Sequence, residues 1–195
     1  LVNVVDPTSA AAELAGQYGS LVATVDQILA DPAIHGVVIA SSTDTHLDYS
    51  LAAAQAGKKV FCEKPLDQDL ERARGAGETL ASIGAQVFLA FNRRFDANFA
   101  ALQARLEAGE VGALETLHII SHDPAPPPAT YVATSGGIFK DMVIHDFDMA
   151  RWLLAEPVTE VFSTASVLID PAIGEAGDVD TAKTILKTVS GRICV

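Results

Sequence analysis

Two cysteines in 195 residues, Cys62 and Cys194, give no basis for a disulfide framework. They lie far apart in apolar, strand-like runs (VFCEK and RICV), the pattern of buried reduced thiols in a reducing compartment. No Cys-x-x-Cys pair or Cys/His cluster has zinc-ligand spacing, so no metal site is expected. Basic charge is scarce: 13 Lys and Arg stand against 25 Asp and Glu, a net charge of −12. That balance argues against nucleic acid or an anionic membrane as a partner. No apolar run is long enough to span a bilayer and no secretory signal is present, so a soluble cytoplasmic protein is expected. The phosphate-cradling G-x-G-x-x-G turn is absent too. "SGG" at 135–137 is no substitute, because it does not join a strand to a helix.

With 49% hydrophobic and 19% charged residues, the chain has a globular composition and enough length for one large domain or two small ones. Residues 1–92 alternate strand and helix. "LVNVVD" reads as a strand, "SAAAELAGQYG" as a helix closed by Gly19, and "TVDQILADPAIH" as a short helix stopped at Asp31-Pro32. "GVVIAS", "KKVFCEK" and "AQVFLAFN" read as strands, separated by helices in "THLDYSLAAAQAG" and "LDQDLERARGAGETLASIG". Short strands without polar alternation, joined through helices, predict a doubly wound parallel sheet buried on both faces. After Asn92 the texture changes, and a second α+β domain is expected over 93–195. It begins with a helix in "FDANFAALQARLEAGEVG" and a half-exposed strand in "ALETLHIISHD", followed by a rigid "PAPPP" loop. "KDMVIHDFDMARWLL" reads as one helix, and "VTEVFSTASVLI" and "TAKTILKTVSGRICV" as antiparallel strands with one exposed face. The chain opens on a finished strand and closes on the start of another, so both domains are expected to be incomplete. The first strand with its Gly-rich turn and the last sheet strands would be missing.

In an open parallel sheet, ligands gather outside the carboxyl ends of the strands. That rule selects Asp6, Ser41-Ser42-Thr43, Glu63-Lys64-Pro65 and Asn92-Arg93-Arg94. An acid at Asp6 can accept both hydroxyls of an adenosine ribose and repel a 2′-phosphate, or can simply cap the next helix. Thr43 and Thr45 can cap the helix that His46 begins, and the same hydroxyls and N–H groups can hold a cofactor's phosphate or ribose. Asp141 and His145, four residues apart, would share one helix face, where the carboxylate can bond to the imidazole or raise its pKa. Such a histidine can take a proton from an alcohol. The alternatives are an Asp placed for the helix dipole and a structural histidine. Asp148 has Arg151 as an i,i+3 partner. His122, ending "LHIISHD", is a candidate substrate contact, while His35 and His118 read as structural.

"EKP", "FNRRFD" and "GGIFKDMVIHDFDMARWLL", at these separations, resemble the Gfo/Idh/MocA family of nicotinamide-dependent oxidoreductases, and within it the inositol 2-dehydrogenases. "ASSTDTH", "SHDPAPPP" and "DPAIGEAGDVDTA" extend the likeness across essentially the whole chain. The resemblance implies a Rossmann-type NAD-binding domain over 1–92. Over 93–195 it implies a substrate-binding and oligomerisation domain with a mostly antiparallel open sheet, which commonly assembles a homotetramer. It gives Lys64 contact with both the nicotinamide end and the substrate hydroxyl, with Asp141 and His145 completing a catalytic triad and His145 accepting the proton. Asp6 becomes the adenosine-ribose ligand, favouring NAD over NADP. Ser41, Thr43, His46 and Glu63 match cofactor-contacting segments, and Asn92 and Arg94 the segment beside nicotinamide and substrate. The implied reaction is oxidation of a secondary ring hydroxyl of inositol to a ketone, without a metal. Rival readings are a family member acting on another sugar or polyol, and a non-catalytic NAD-binding sensor. Lys140 departs from the pattern by standing where an apolar residue is expected; directed inward it would lower the pKa of Asp141.

Overall fold

The computed structural model describes residues 1–195. They form two compact units, Leu1–Ala90 and Phe91–Val195.

The first unit is α/β with every strand pairing parallel. Strand β1 (Asn3–Val4) leads to α1 (Ala10–Tyr18), which stops where Gly19 turns left-handed at φ 62°. Strand β2 (Leu21–Val22) pairs with β1, and α2 (Val25–Ala30) follows. A reciprocal cap starts α2: Thr24 Oγ1 accepts the Gln27 N–H, and Gln27 Oε1 accepts the Thr24 N–H. Strands β3 (Gly36–Ile39), β4 (Lys59–Cys62) and β5 (Val87–Leu89) form a second sheet in that order. Helices α3 (His46–Gln55) and α4 (Leu70–Ser82) are the crossovers, with Asp69 capping α4 through the Arg72 N–H. Lys58, just before β4, is buried with its ammonium donating to the carbonyls of Asp31 and Ile34, which ties the end of α2 to the sheet.

The parallel pairing expected from strand–helix alternation is present, in a two-stranded and a three-stranded sheet. Burial on both faces needs correction, because within this chain one face of the larger sheet is covered. Ile39, Val60 and Cys62 pack with Ala53, Ala54 and Leu80 from the two helices. On the opposite face Val38 is 74% exposed, with the stacked Phe61 and Phe88 rings beside it at 40% and 41%. Because both faces are apolar, the sequence has no alternation to show that one stays open.

The second unit is α+β. A 3₁₀ turn, Asn92–Phe95, precedes α5 (Ala97–Glu107), whose first N–H groups are accepted by Asp96. Strand β6 (Thr116–Leu117) is a remnant of the longer strand expected there, and α6 (Ala129–Ser135) follows the proline loop. The single helix expected over 140–154 is broken into α7 (Gly137–Asp141) and α8 (Ile144–Leu154). The long strands β7 (Val158–Ser166) and β8 (Thr181–Thr188) flank a short α9 (Pro171–Glu175), and β9 (Ile193–Cys194) closes the sheet. Its order is β6-β9-β8-β7. Two of its pairings are antiparallel, as expected, whereas β6 with β9 is parallel, so the sheet is mixed.

One side of this sheet packs Leu186 and Cys194 on Ala150 and Leu154 of α8. The other side carries the cross-strand pair Phe162 and Ile185, 64% and 42% exposed, beside the Glu160–Lys187 ion pair. Both cysteines are free and buried, and burial pushes the Cys194 thiol up to about 11. No helix is long and apolar enough to cross a membrane.

Leu154 has no accessible surface. Leu154→Ala is expected to cost about 2–5 kcal/mol of unfolding free energy, read by denaturant titration. Asp180 supplies a pH test. Its carboxylate accepts the N–H groups of Leu168, Ile169 and Asp170 and the Thr181 hydroxyl, which together hold its carboxyl well below the usual range. A depressed folded-state pKa contributes stability above the ordinary carboxylate value and loses it as pH falls through that range. The melting-temperature gap between wild type and Asp180→Asn should therefore close on acidification; a constant gap would contradict this.

Candidate active site

In the first unit the candidates gather where strands end. Glu63 N donates to the Ile39 carbonyl at 2.9 Å and Ala90 N to the Cys62 carbonyl at 2.8 Å, so pairing persists to the last residue of β3 and β4. Glu63 and Lys64 emerge half-buried from β4, followed by buried Pro65 across a cis Lys64–Pro65 bond. Ser41 and Thr43 stand after β3, at the 3₁₀ turn Thr43–Thr45 that enters α3. The Ser41 and Thr45 hydroxyls are 2.6 Å apart. Asp6 is exposed after β1. One of its oxygens accepts both the N–H and the hydroxyl of Thr8, which lowers its pKa, so its present work is to shape the turn into α1.

His46 differs from its expected role as a cofactor contact. It is 2% exposed, and both ring nitrogens face main-chain carbonyls: Nδ1 lies 2.8 Å from Pro65 O and Nε2 3.0 Å from Ser41 O. Its polar atoms are directed into the protein rather than toward a ligand.

In the second unit, Asp141 ends α7 and His145 is the second residue of α8. The helix expected to carry both is interrupted between them, at Met142-Val143. Met142 N and Val143 N both turn back to Ile138 O, and His145 N donates to Met142 O. Long-range contacts stabilise this geometry. Gly136 and Gly137, at φ 88° and 81°, reverse the chain into α7, and Asp178 accepts the Ile138 N–H at 2.8 Å. Tyr131 on α6 donates its hydroxyl to Asp141 Oδ2 at 3.0 Å, and burial followed by that bond raises the phenol pKa. Lys140 is exposed.

Two arginines tie the Asn92–Phe95 turn to α8. Arg93 bonds to Asp146 and to Ser121 Oγ, and Ser121 donates to the same Asp146 oxygen at 2.7 Å. Arg94 grips Asp148 through two bonds, Nε–Oδ2 at 2.7 Å and Nη2–Oδ1 at 2.6 Å, with its guanidinium 5.7 Å from the Trp152 ring centroid. Asp148 thus pairs with Arg94, not with Arg151 as its helical spacing suggested. Arg94, expected at the substrate, has its guanidinium committed to holding α8. Asn92, His122 and His145 each sit one residue from a member of the Arg93–Ser121–Asp146 network, with Asn92 and His122 exposed.

Sequence reasoning passed over Ser121, Tyr131, Asp178 and the pairing of Arg93 with Asp146. The quoted "FNRRFD", "SHDPAPPP", "GGIFKDMVIHDFDMARWLL" and "DPAIGEAGDVDTA" segments contain Arg93, Ser121, Asp146 and Asp178 but not their pairing, since partners lie far along the chain.

A methyl group at Gly137 would stand 2.8 Å from Asp178 Oδ1, at a φ that L-residues avoid. Gly137→Ala should destabilise the protein by about 1–3 kcal/mol. It should cost more than Gly109→Ala, whose φ is also positive but whose surroundings are open. Paired thermal melts check the order, and an equal loss would contradict the role given to Asp178.

The model of the oxidoreductase family with an NAD-binding Rossmann fold matches residues 1–91, and that of the GFO/IDH/MocA C-terminal domain matches residues 99–195. The chain is 50% identical over 193 residues to the inositol 2-dehydrogenase of Rhizobium meliloti strain 1021, covering 98% of this chain and 58% of that protein. It is 48% identical over 169 residues to the myo-inositol 2-dehydrogenase of Thermotoga maritima, covering 87% of this chain and 51% of the relative. The chain thus spans little more than half the length of these curated relatives. Among solved structures, a myo-inositol dehydrogenase from Corynebacterium glutamicum superposes with a TM-score of 0.94 at 41% identity, over 100% of this chain and 59% of that one. The scyllo-inositol dehydrogenase of Lactobacillus casei, with bound NAD(H) and scyllo-inositol, gives 0.89 at 27%, over 100% and 60%. The chain belongs to the Gfo/Idh/MocA family of oxidoreductases.

Proposed function

We propose that this protein is an NAD-dependent dehydrogenase that oxidises a secondary ring hydroxyl of an inositol to the ketone. The observation that carries the reading is a lysine, Lys64, at the carboxyl end of the central strand of a parallel sheet, where this architecture opens to ligands. Relatives named as inositol dehydrogenases over nearly the whole chain support the substrate class.

The strand-end loops are suited to a dinucleotide. Ser41 and Thr43 offer hydroxyls beside the entry to α3, and Asp6 presents a carboxylate after β1. In this reading those groups, with Glu63 and Asn92, hold NAD, which when bound supplies the hydride acceptor. Lys64 donates to the substrate oxygen and steadies negative charge developing there. His145 takes the hydroxyl proton, and Asp141, held by Tyr131, acts with it. His122 is a further candidate substrate contact. The reading places the reaction in the cytoplasm. It also assigns the open sheet face around Phe162 and Ile185 to self-association, as the homotetramer implied by the resemblance requires.

Absorbance of NADH tests the proposal. Myo- or scyllo-inositol should give turnover, while glucose and xylose give little. His145→Ala should lower turnover by about 10²–10⁴ while NAD binding persists. Preference for glucose or xylose would move the substrate assignment, and NAD binding without turnover on any of them would indicate a sensor. Loss of NAD binding in folded His145→Ala would overturn the role given to His145.

A further inference from the structure

His46 is the one buried ionisable ring in the first unit, and both of its nitrogens address main chain. Ser41 O and Pro65 O belong to the loops that leave β3 and β4, and Pro65 follows Lys64 directly. Carbonyl oxygens only accept hydrogen bonds, so a neutral ring donates to one of the two through its single N–H, and donation to both takes the imidazolium. Here the ring spans two loops and its two poles meet their carbonyls, 2.8 and 3.0 Å away.

We propose that His46 is a positioning residue: it clasps the loop after β3 to the Lys64–Pro65 turn and so fixes the direction in which the Lys64 ammonium is presented. It is not a cofactor ligand, because both ring nitrogens face inward. The inference rests on the dehydrogenase reading for its kinetic consequence, but its structural claim does not. Removing the ring takes away the group that bridges Pro65 O and Ser41 O, and the short segment carrying Lys64 loses its tether to α3. Displacement of a reacting group by about 1 Å can cost about 10²-fold in rate, so a large effect is expected from a residue that touches no substrate.

The test uses His46→Ala, His46→Gln, Lys64→Ala and the double variant His46→Ala/Lys64→Ala in the purified protein, with thermal melts to confirm folding. His46→Ala should lower kcat for inositol oxidation by about 10- to 100-fold and change the KM for NAD by less than about threefold. His46→Gln, whose amide NH2 can still donate toward a carbonyl, should recover part of the loss. In the Lys64→Ala background, removing His46 should cost less than about threefold more, because its effect travels through the missing lysine. If His46→Ala does not fold, His46→Gln takes its place in the cycle. Competitive acetylation read by mass spectrometry supplies a measurement free of catalysis: the reactivity of Lys64 relative to Lys59 should change in the His46 variant. Unchanged Lys64 reactivity, losses that multiply in the double variant, or an effect confined to the KM for NAD would each overturn the proposal. A wild-type protein that forms no NADH overturns the dehydrogenase reading instead, and the acetylation result then decides the positioning claim alone.

Discussion

Parallel pairing of β3, β4 and β5 is the constraint on which the first unit depends. The register sets Val38 beside Phe61 and Phe61 beside Phe88, so Ile39, Cys62 and Leu89 end abreast. Parallel strands require crossovers, and α3 and α4 provide them on the face where Val60 and Cys62 are buried. Because the strands stop together, their following loops leave at one edge. The polar groups at 41–43 and 63–64 therefore meet there without any local sequence preference for doing so. The same strand ends bring the Ser41 and Pro65 carbonyls within reach of a single imidazole.

The second unit solves a different problem. A helix whose first turn carries the candidate base must be held although its start is broken off from α7. Arg93 and Arg94 brace α8 through Asp146 and Asp148, with Asp148 only 8% exposed. Leu154 and Ala150 anchor the far end against the sheet. Paired, hydrogen-bonded charges of this kind are costly to break, since removing either partner leaves the other poorly solvated. The break itself separates Asp141 from the rigid body of α8 and gives it independent supports, Tyr131 through its side chain and Asp178 through the start of α7.

Much of this was legible in the sequence where the physics is local. Gly19 ends α1, Asp31-Pro32 stops α2, and short apolar runs mark β3 and β4. The strand-end rule located Lys64 and Ser41 from pattern alone, whereas the reaction came from resemblance. What escaped was non-local. The helical period over 140–154 is interrupted at Met142-Val143, where both N–H groups turn back to Ile138 O, a residue whose own N–H is held by Asp178 some forty positions on. Asp148 had an attractive partner three residues away and chose Arg94 across the fold. Resemblance made His46 a cofactor contact, whereas its burial against the Ser41 and Pro65 carbonyls turns the ring inward.

The proposed reaction is hydride transfer from a ring carbon to nicotinamide. The most direct measurement is isotopic: incubate the protein with NAD and inositol carrying deuterium on the reacting ring carbon, then weigh the reduced cofactor. Direct transfer predicts reduced cofactor one mass unit heavier than that formed from unlabelled inositol. Unlabelled NADH from labelled substrate, or none at all, would contradict it.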